Sequence, residues 1–214
     1  MKTLPQPKHA TRCLPFAVAF VVSLALVAWD RAVDAAPSVG SPAPEFAGVD
    51  SNGATHQLSD YRGKTVVLEW TNHDCPYVRK HYSTGNMQSL QKGATERGVI
   101  WLSVISSAPG KQGHVSPTQA NDLTASRGAA PTAVILDPAG DIGRLYGAKT
   151  TPHMYIIDAR GTLVYMGGID DIPTTNPADV KTAHNYVQAA LDELDAGKEI
   201  GEPVTRPYGC SVKY

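Results

Sequence analysis

Three short, mainly apolar runs constrain this chain most: residues 65–70, 99–105 and 132–136. Each is too short for a stable isolated helix and rich in β-branched residues, so each reads as a strand covered on both faces. Between the first two, residues 76–97 place apolar side chains at helical spacing, with a break at Gly85. Ser116-Pro117 offers a cap and a first-turn proline for a short helix, and residues 141–146 read as another, stopped near Gly147. Two hairpins complete the pattern. One joins 46–49 to 55–58 over Ser51-Asn-Gly53, the other 154–157 to 162–165 over Ala159-Arg-Gly161. Asn176-Pro177 is read as the cap of the last helix, with Val180, Ala183, Val187, Ala190 and Leu194 as its inward stripe and Gly197 as its end. Strands alternating with helices imply a largely parallel sheet to which the late hairpin adds antiparallel strands. The fold class expected is α/β, a central mixed sheet flanked by helices, with an N-terminal hairpin and an extended C-terminal tail.

Residues 1–35 read as a secretory leader. Lys2, Lys8 and Arg12 precede a nearly unbroken apolar run over 14–29, and Val33 and Ala35 suit the positions before a cleavage point, placed after Ala35. Retention as a membrane anchor is the alternative, because the run nears the lower length of a span. Either way the remainder is exported, to the periplasm or another extracytoplasmic space, and meets a membrane only if the leader is kept. The leader holds four Lys/Arg and two Asp/Glu, which leaves 15 basic against 18 acidic side chains in 179 residues. That balance gives no footprint for nucleic acid. Cys13 departs with the leader. Cys75 and Cys210 remain, two thiols in an oxidising compartment, the number that can pair. Residues 36–197 are expected to form one domain, and 198–214 a tail rich in Pro and Gly that wraps the domain or moves.

Cys75 carries the chemistry. It follows the strand over 65–70 by a short polar loop, Thr71-Asn-His-Asp, and stands where the next helix begins. Backbone N–H groups and the helix dipole at such a position favour a thiolate. Arg79, Lys80 and His81 add positive charge, Asp74 opposes it, and the plain alternative is an inert buried thiol. A second feature is Thr151-Pro152 before the apolar run 154–157. A proline there cannot donate a ladder bond, and in cis form it would present the Thr151 backbone to a partner.

In order and spacing, four stretches resemble the alkyl hydroperoxide reductase C/thiol-specific antioxidant group of thioredoxin-fold redoxins. They are Val39-Gly-Ser-Pro-Ala-Pro-Glu-Phe46, Leu58-Ser-Asp-Tyr-Arg-Gly-Lys-Thr-Val-Val-Leu68, Trp70…Cys75-Pro76 and Thr151-Pro152…Ile157-Asp-Ala-Arg-Gly161. Cys75-Pro-Tyr-Val78…Lys80-His-Tyr82 and the ending Gly209-Cys-Ser211 resemble a peroxiredoxin-like branch of that group. The resemblance covers residues 38–196. It implies a thioredoxin fold, a thiol oxidoreductase working through Cys75 without a cofactor, and Thr151-Pro152 framing the substrate. The substrate would be a hydroperoxide or a protein disulfide, and the reductant an outside thiol.

The departures are chemical. A redox thioredoxin has a second cysteine at position 78, where this chain has Val. A peroxiredoxin has Pro-x-x-x-Thr/Ser-x-x-Cys, but Asn72 stands three before Cys75, Thr71 four before, and no proline occurs over 66–74. The family's distant arginine falls near Pro152, so Arg79 or Arg144 would have to support the thiolate. Cys210 is read as the resolving cysteine that reaches Cys75, with a permanent structural disulfide, or a free or intermolecular thiol, as alternatives. His73, His81 and His153 gather near the same corner in such a fold and with Cys75 could bind copper or zinc. Their spacing is not that of a committed site, so they are read as surface histidines, and no metal is expected. The alternative function is a copper-binding chaperone or a redox-silent binding module. Trp70 and Trp101 are assigned to the core, and Asp170-Asp171 to a solvated loop.

Overall fold

The computed structural model describes residues 1–4 and 36–214. The apolar run over 14–29, the cleavage point after Ala35 and Cys13 lie outside the described residues. The elements are β1 (Ala47–Asp50), β2 (Thr55–Gln57), β3 (Val66–Trp70), α1 (Pro76–Ser83), α2 (Asn86–Glu96), β4 (Ile100–Ile105) and α3 (Pro117–Ser126). They continue with β5 (Ala133–Leu136), α4 (Asp141–Leu145), β6 (Thr150–Thr151), β7 (His153–Ile157), β8 (Leu163–Gly167), α5 (Tyr186–Asp195) and β9 (Cys210–Ser211).

Seven strands make one sheet in the order β2-β1-β5-β4-β3-β7-β8. The sheet is mixed, as expected, but not largely parallel. Only β3–β4 and β4–β5 run parallel, and the remaining four pairings are antiparallel. The N-terminal hairpin joins through β1 antiparallel to β5, so both flanks of the parallel centre turn antiparallel.

The three apolar runs are strands because both faces are covered. Val66, Leu68 and Trp70 pack with Leu102, Tyr155 and α4 on one side. Val67, Trp101, Met154 and Ile156 pack with α2 and α5 on the other. Trp70 meets Tyr146 and Tyr155 with ring centroids 5.5 and 5.2 Å apart, and the two tyrosines meet at 5.4 Å. Such pairs add about 0.5–1.5 kcal/mol each beyond area burial. Trp70 and Trp101 are both core residues. The helix over 76–97 divides where the sequence breaks it, because Gly85 takes φ of 75°, a conformation that side chains with a Cβ disfavour. Ser116 caps α3 through a reciprocal box with Gln119.

Two readings change. The last helix does not start at Asn176: that residue caps a separate 3-10 turn, Pro177–Lys181, and Asn185 caps α5. Val180 and Ala183 therefore leave the buried stripe, which is Val187, Ala190 and Leu191 with Leu194 partly packed. Asp170-Asp171 is not a solvated pair either. Asp171 is exposed, but the Asp170 side chain is 2 % exposed and lies 3.4 Å from the Nζ of Lys80, which is 0 % exposed. Asp170 also accepts the Tyr208 hydroxyl and the Ile172 N–H. The solvation of both ions is replaced from within the protein, the condition for burying charge at all.

Removing one partner of such a pair strands the other. Asp170→Ala is expected to lower stability by about 3–5 kcal/mol, read as the shift of the urea midpoint at constant slope. Asp171→Ala, on the exposed neighbour, should stay within about 0.5 kcal/mol. Equal losses for both variants would show that the buried pair is not what is being measured.

Candidate active site

Cys75 is the residue before α1, with φ −71° and ψ 122°, and Pro76 takes the first helical position. The loop into it is set locally. The Asp74 N–H donates to the Asn72 side chain at 2.9 Å, and the Cys75 N–H donates to the Asn72 carbonyl at 3.1 Å. The Asn72 amide holds the Gln112 carbonyl at 3.2 Å. The turn thus brings the thiol to the start of α1, and the Thr71 N–H, donating to the Val104 carbonyl at 3.0 Å, ties the loop to β4.

Pro152 stands between β6 and β7, after a cis Thr151-Pro152 bond. The Cys75 S–H donates to the Thr151 carbonyl at 3.1 Å. The tail supplies the third component. Its strand β9 pairs antiparallel with β6, with Cys210 opposite Thr151 and Ser211 opposite Thr150. This pairing brings the two cysteines of sequence positions 75 and 210 together beside Thr151, each a free thiol.

The two thiols are made unequal. Burial pushes the Cys75 thiol up, but hydrogen bonds from the Cys210 thiol, the Val78 and Cys210 N–H groups and Thr151 outweigh it, and the net shift is downward. The Val78 N–H belongs to the first turn of α1, one of the donors a helix start leaves unpaired. Cys210 is pushed up to about 11, by burial first and then by its hydrogen bond to, and the charge of, Cys75. Cys75 is 0 % exposed while Cys210 is half-buried. One proton shared between two sulfurs has the same effect: one sulfur keeps the negative charge and the other keeps the hydrogen.

The remaining candidates fall elsewhere. Arg79 is exposed, and its charge acts to lower Cys210. Arg144 lies 3.5 Å from Asp141 and over the Tyr214 ring at 5.1 Å. Neither guanidinium hydrogen-bonds to Cys75; the groups that act on it are Thr151, the start of α1 and the tail. The Thr71 hydroxyl is buried without a hydrogen-bond partner, so it does not serve the thiol either.

The histidines are not the surface residues expected. His81 and His153 are buried, and burial pushes them down to about 4 and about 3. His81 hydrogen-bonds Tyr208 and Asn86, while His153 hydrogen-bonds Tyr155 and the Lys149 N–H. His73 is half-buried, 3.4 Å from Asp74. Among the described residues no three His, Cys, Asp or Glu side chains stand together as a metal-holding group.

Sequence reasoning overlooked the supports of the site. Glu69, fully buried in β3, accepts from Tyr82 at 2.8 Å and from Gln91, Trp101 and Ser103 at 3.0, 2.9 and 2.9 Å. A lone carboxylate inside an apolar strand was the available signal. Tyr208 and Asp170 gave none, since their meeting depends on distant chain.

The AhpC/TSA family model matches residues 39–166. The curated protein "Thiol-disulfide oxidoreductase ResA" of Geobacillus kaustophilus (strain HTA426) is 28 % identical over 133 residues, 59 % of this chain and 67 % of that one. Among solved structures, an uncharacterised conserved protein from Geobacillus kaustophilus superposes with TM-score 0.69 at 25 % identity, covering 83 % of this chain and 92 % of that one. A thiol:disulfide interchange protein described as a putative DsbE, from Chlorobium tepidum, gives TM-score 0.50 at 27 % identity, over 61 % of this chain and 85 % of that one. The fold is the thioredoxin fold.

If the balance of hydrogen bonds holds the Cys75 thiolate, the rate of its alkylation in a Cys210→Ser chain should titrate with a midpoint below the free-thiol value of ~8.5. Serine keeps a hydroxyl donor and the strand pairing. A midpoint at or above that value would mean that burial wins.

Proposed function

This chain belongs to the AhpC/TSA family, and we propose that it is an exported, peroxiredoxin-like thiol oxidoreductase in which Cys75 reacts and Cys210 resolves. The observation that carries the reading is the meeting of two free thiols at Thr151, whose carbonyl accepts the Cys75 S–H and whose ladder partner is Cys210; the opposed shifts, Cys75 down and Cys210 up to about 11, agree with it. The relatives named for thiol-disulfide exchange support the same class of chemistry. Export is supported by the leader grammar of residues 1–35 and by a cysteine pair suited to an oxidising, extracytoplasmic space.

The cycle needs an oxidant and a reductant from outside. With a hydroperoxide, the Cys75 thiolate attacks the terminal oxygen, the O–O bond breaks, and the alkoxide leaves as alcohol after taking a proton; Cys75 becomes a sulfenic acid. The Cys210 thiol then attacks that sulfur and water leaves, giving the disulfide. With a disulfide oxidant, Cys75 displaces one thiolate to form a mixed disulfide, and Cys210 displaces the other. In both cases two molecules of an external thiol restore the dithiol and leave as their own disulfide. Val78 supplies no local sulfur, so resolution falls to Cys210, held opposite the Thr151 that binds the Cys75 S–H. Thr151 contributes the carbonyl that orients the reduced Cys75 S–H.

Treated with one equivalent of hydrogen peroxide and digested without reduction, the protein should yield a peptide linked through Cys75 and Cys210. Cys75→Ser should abolish it, and Cys210→Ser should accumulate a sulfenic acid on Cys75. Titrated against glutathione, the bond should show a potential above about −300 mV, the range of reducible rather than structural disulfides. A persistent sulfenic acid beside a free Cys210 in the unmutated chain, or dimers linked through Cys210, would falsify the intramolecular cycle.

A further inference from the structure

The edge at which a polypeptide could lie beside Cys75 already holds a polypeptide. Thr150 and Thr151 present their backbone immediately before Pro152, and β9 pairs with them antiparallel, bringing a cysteine sulfur against Cys75. A cysteine-bearing strand approaching Cys75 by the same backbone edge would require the same ladder positions. The fit leaves no room for a second chain. A Cβ built on Gly209, whose φ is 139°, falls 2.0 Å from the Thr151 carbonyl oxygen, so the two backbones touch where any side chain would intervene.

The strand is held from both sides. Upstream, Tyr208 donates to the buried Asp170, the Thr205 N–H donates to the Met166 carbonyl, and the Met166 N–H donates to the Pro203 carbonyl. Downstream, the Val212 N–H donates to the Lys149 carbonyl, the Lys213 carbonyl accepts from Ala108, and the Tyr214 hydroxyl donates to the Ala148 carbonyl at 2.8 Å. Under this cover Cys75 has no exposed surface, and Cys210 is the more exposed of the two cysteines. A small oxidant needs only a local opening at Cys210, whereas a polypeptide needs the whole strand to exchange.

We propose that β9 is a built-in occupant of the strand edge beside Cys75 and restricts this thiol to low-molecular-weight oxidants with an O–O or S–S bond, excluding protein disulfides. The inference rests on the reading of Cys75 as the reacting thiol. It gives the tail two duties: delivering Cys210, and selecting what reaches Cys75 before Cys210 acts. The selected step is the first one of the cycle, in which the Cys75 thiolate displaces alkoxide or thiolate from the small oxidant.

The test uses the full chain with Cys210→Ser, so that only the first step is read, with and without Gly209→Val to drive β9 off the edge. Two reagents share one leaving group: the mixed disulfide of 5-thio-2-nitrobenzoate with free cysteine, and the same mixed disulfide on the single cysteine of an extended peptide. With β9 docked, the cysteine reagent should react faster. Gly209→Val should raise the peptide-to-cysteine rate ratio by about tenfold or more, since a covered site costs the excluded ligand the fraction of time it is open. A second arm needs no redox chemistry. A fluorescent extended peptide with serine in place of its cysteine should show raised anisotropy with the Gly209→Val chain and not with the unmutated one.

An unchanged rate ratio, or a peptide as fast as cysteine on the docked chain, overturns the proposal. So does a peptide that binds neither chain. If neither reagent modifies Cys75 in either variant, the reading of Cys75 as the reacting thiol fails, and the anisotropy arm still decides whether β9 covers a peptide edge. Should Gly209→Val not fold, Tyr208→Ala, which releases the tail from Asp170, is put through both arms with the same outcomes decisive.

Discussion

A carboxylate sealed inside the sheet holds this molecule's working parts in register. Glu69 has no exposed surface, and every donor it needs is internal: Tyr82 in α1, Gln91 in α2, Trp101 and Ser103 in β4. Such a group is tolerated only when its lost hydration is replaced in full. The requirement fixes the angle and depth of the α1–α2 pair against β3 and β4. Because Cys75 is the residue from which α1 starts, the position of the thiol is decided a whole helix away, where the Tyr82 hydroxyl meets Glu69. A hydrophobic residue at 69 would pack the strand as well, yet would not say where the helices must stop.

The second polar core does for the tail what Glu69 does for the helices. Asp170 collects Lys80, His81 and Tyr208 at one point, drawing together α1, the segment after β8 and the residues leading into β9. Lys80 also donates to the Ile172 carbonyl at 2.8 Å, so its charge is shared between a carboxylate and a peptide dipole. The ring of Tyr208 lies 5.8 Å from that of Tyr77 and 5.5 Å from the Lys80 ammonium. Apolar contact, cation and carboxylate thus act on one tyrosine, two residues before Cys210. The consequence for chemistry is that α1 carries Cys75 at its start and the anchor for Cys210 along its length.

What was legible in the sequence is what local chemistry decides. The break at Gly85, the Ser116 box and both hairpins follow from residues within a few positions of the feature, and the apolar strands follow from being wrapped on both faces. The thiol at a helix start was legible for the same reason. The split of the last helix was not. Asn176 and Asn185 are equally good caps, and what separates them is tertiary, the bridge between Asp170 and Asn185 that starts α5 anew. Asp170 and Asp171 are identical in type and adjacent, yet one is buried and one exposed, because only one faces Lys80 and Tyr208. The strand β9 was hidden for a related reason: a Pro/Gly-rich tail has little propensity of its own, and the edge at Thr150–Thr151 provides the order.

The meeting of Cys75 and Cys210 joins points far apart along the chain. A covalent bond there closes a loop of about 135 residues, and in the chain-entropy picture this withdraws about 5 kcal/mol of freedom from the unfolded ensemble. Electron transfer and mechanical robustness are then the same variable. On the proposed cycle the oxidised form would be a clamped molecule, more tolerant of heat and denaturant than the reduced form, which is held at the tail by hydrogen bonds. Thermodynamic reciprocity runs the other way as well: whatever strains the fold makes the bond easier to reduce, so the stability of the surrounding domain helps to set the potential of its own disulfide.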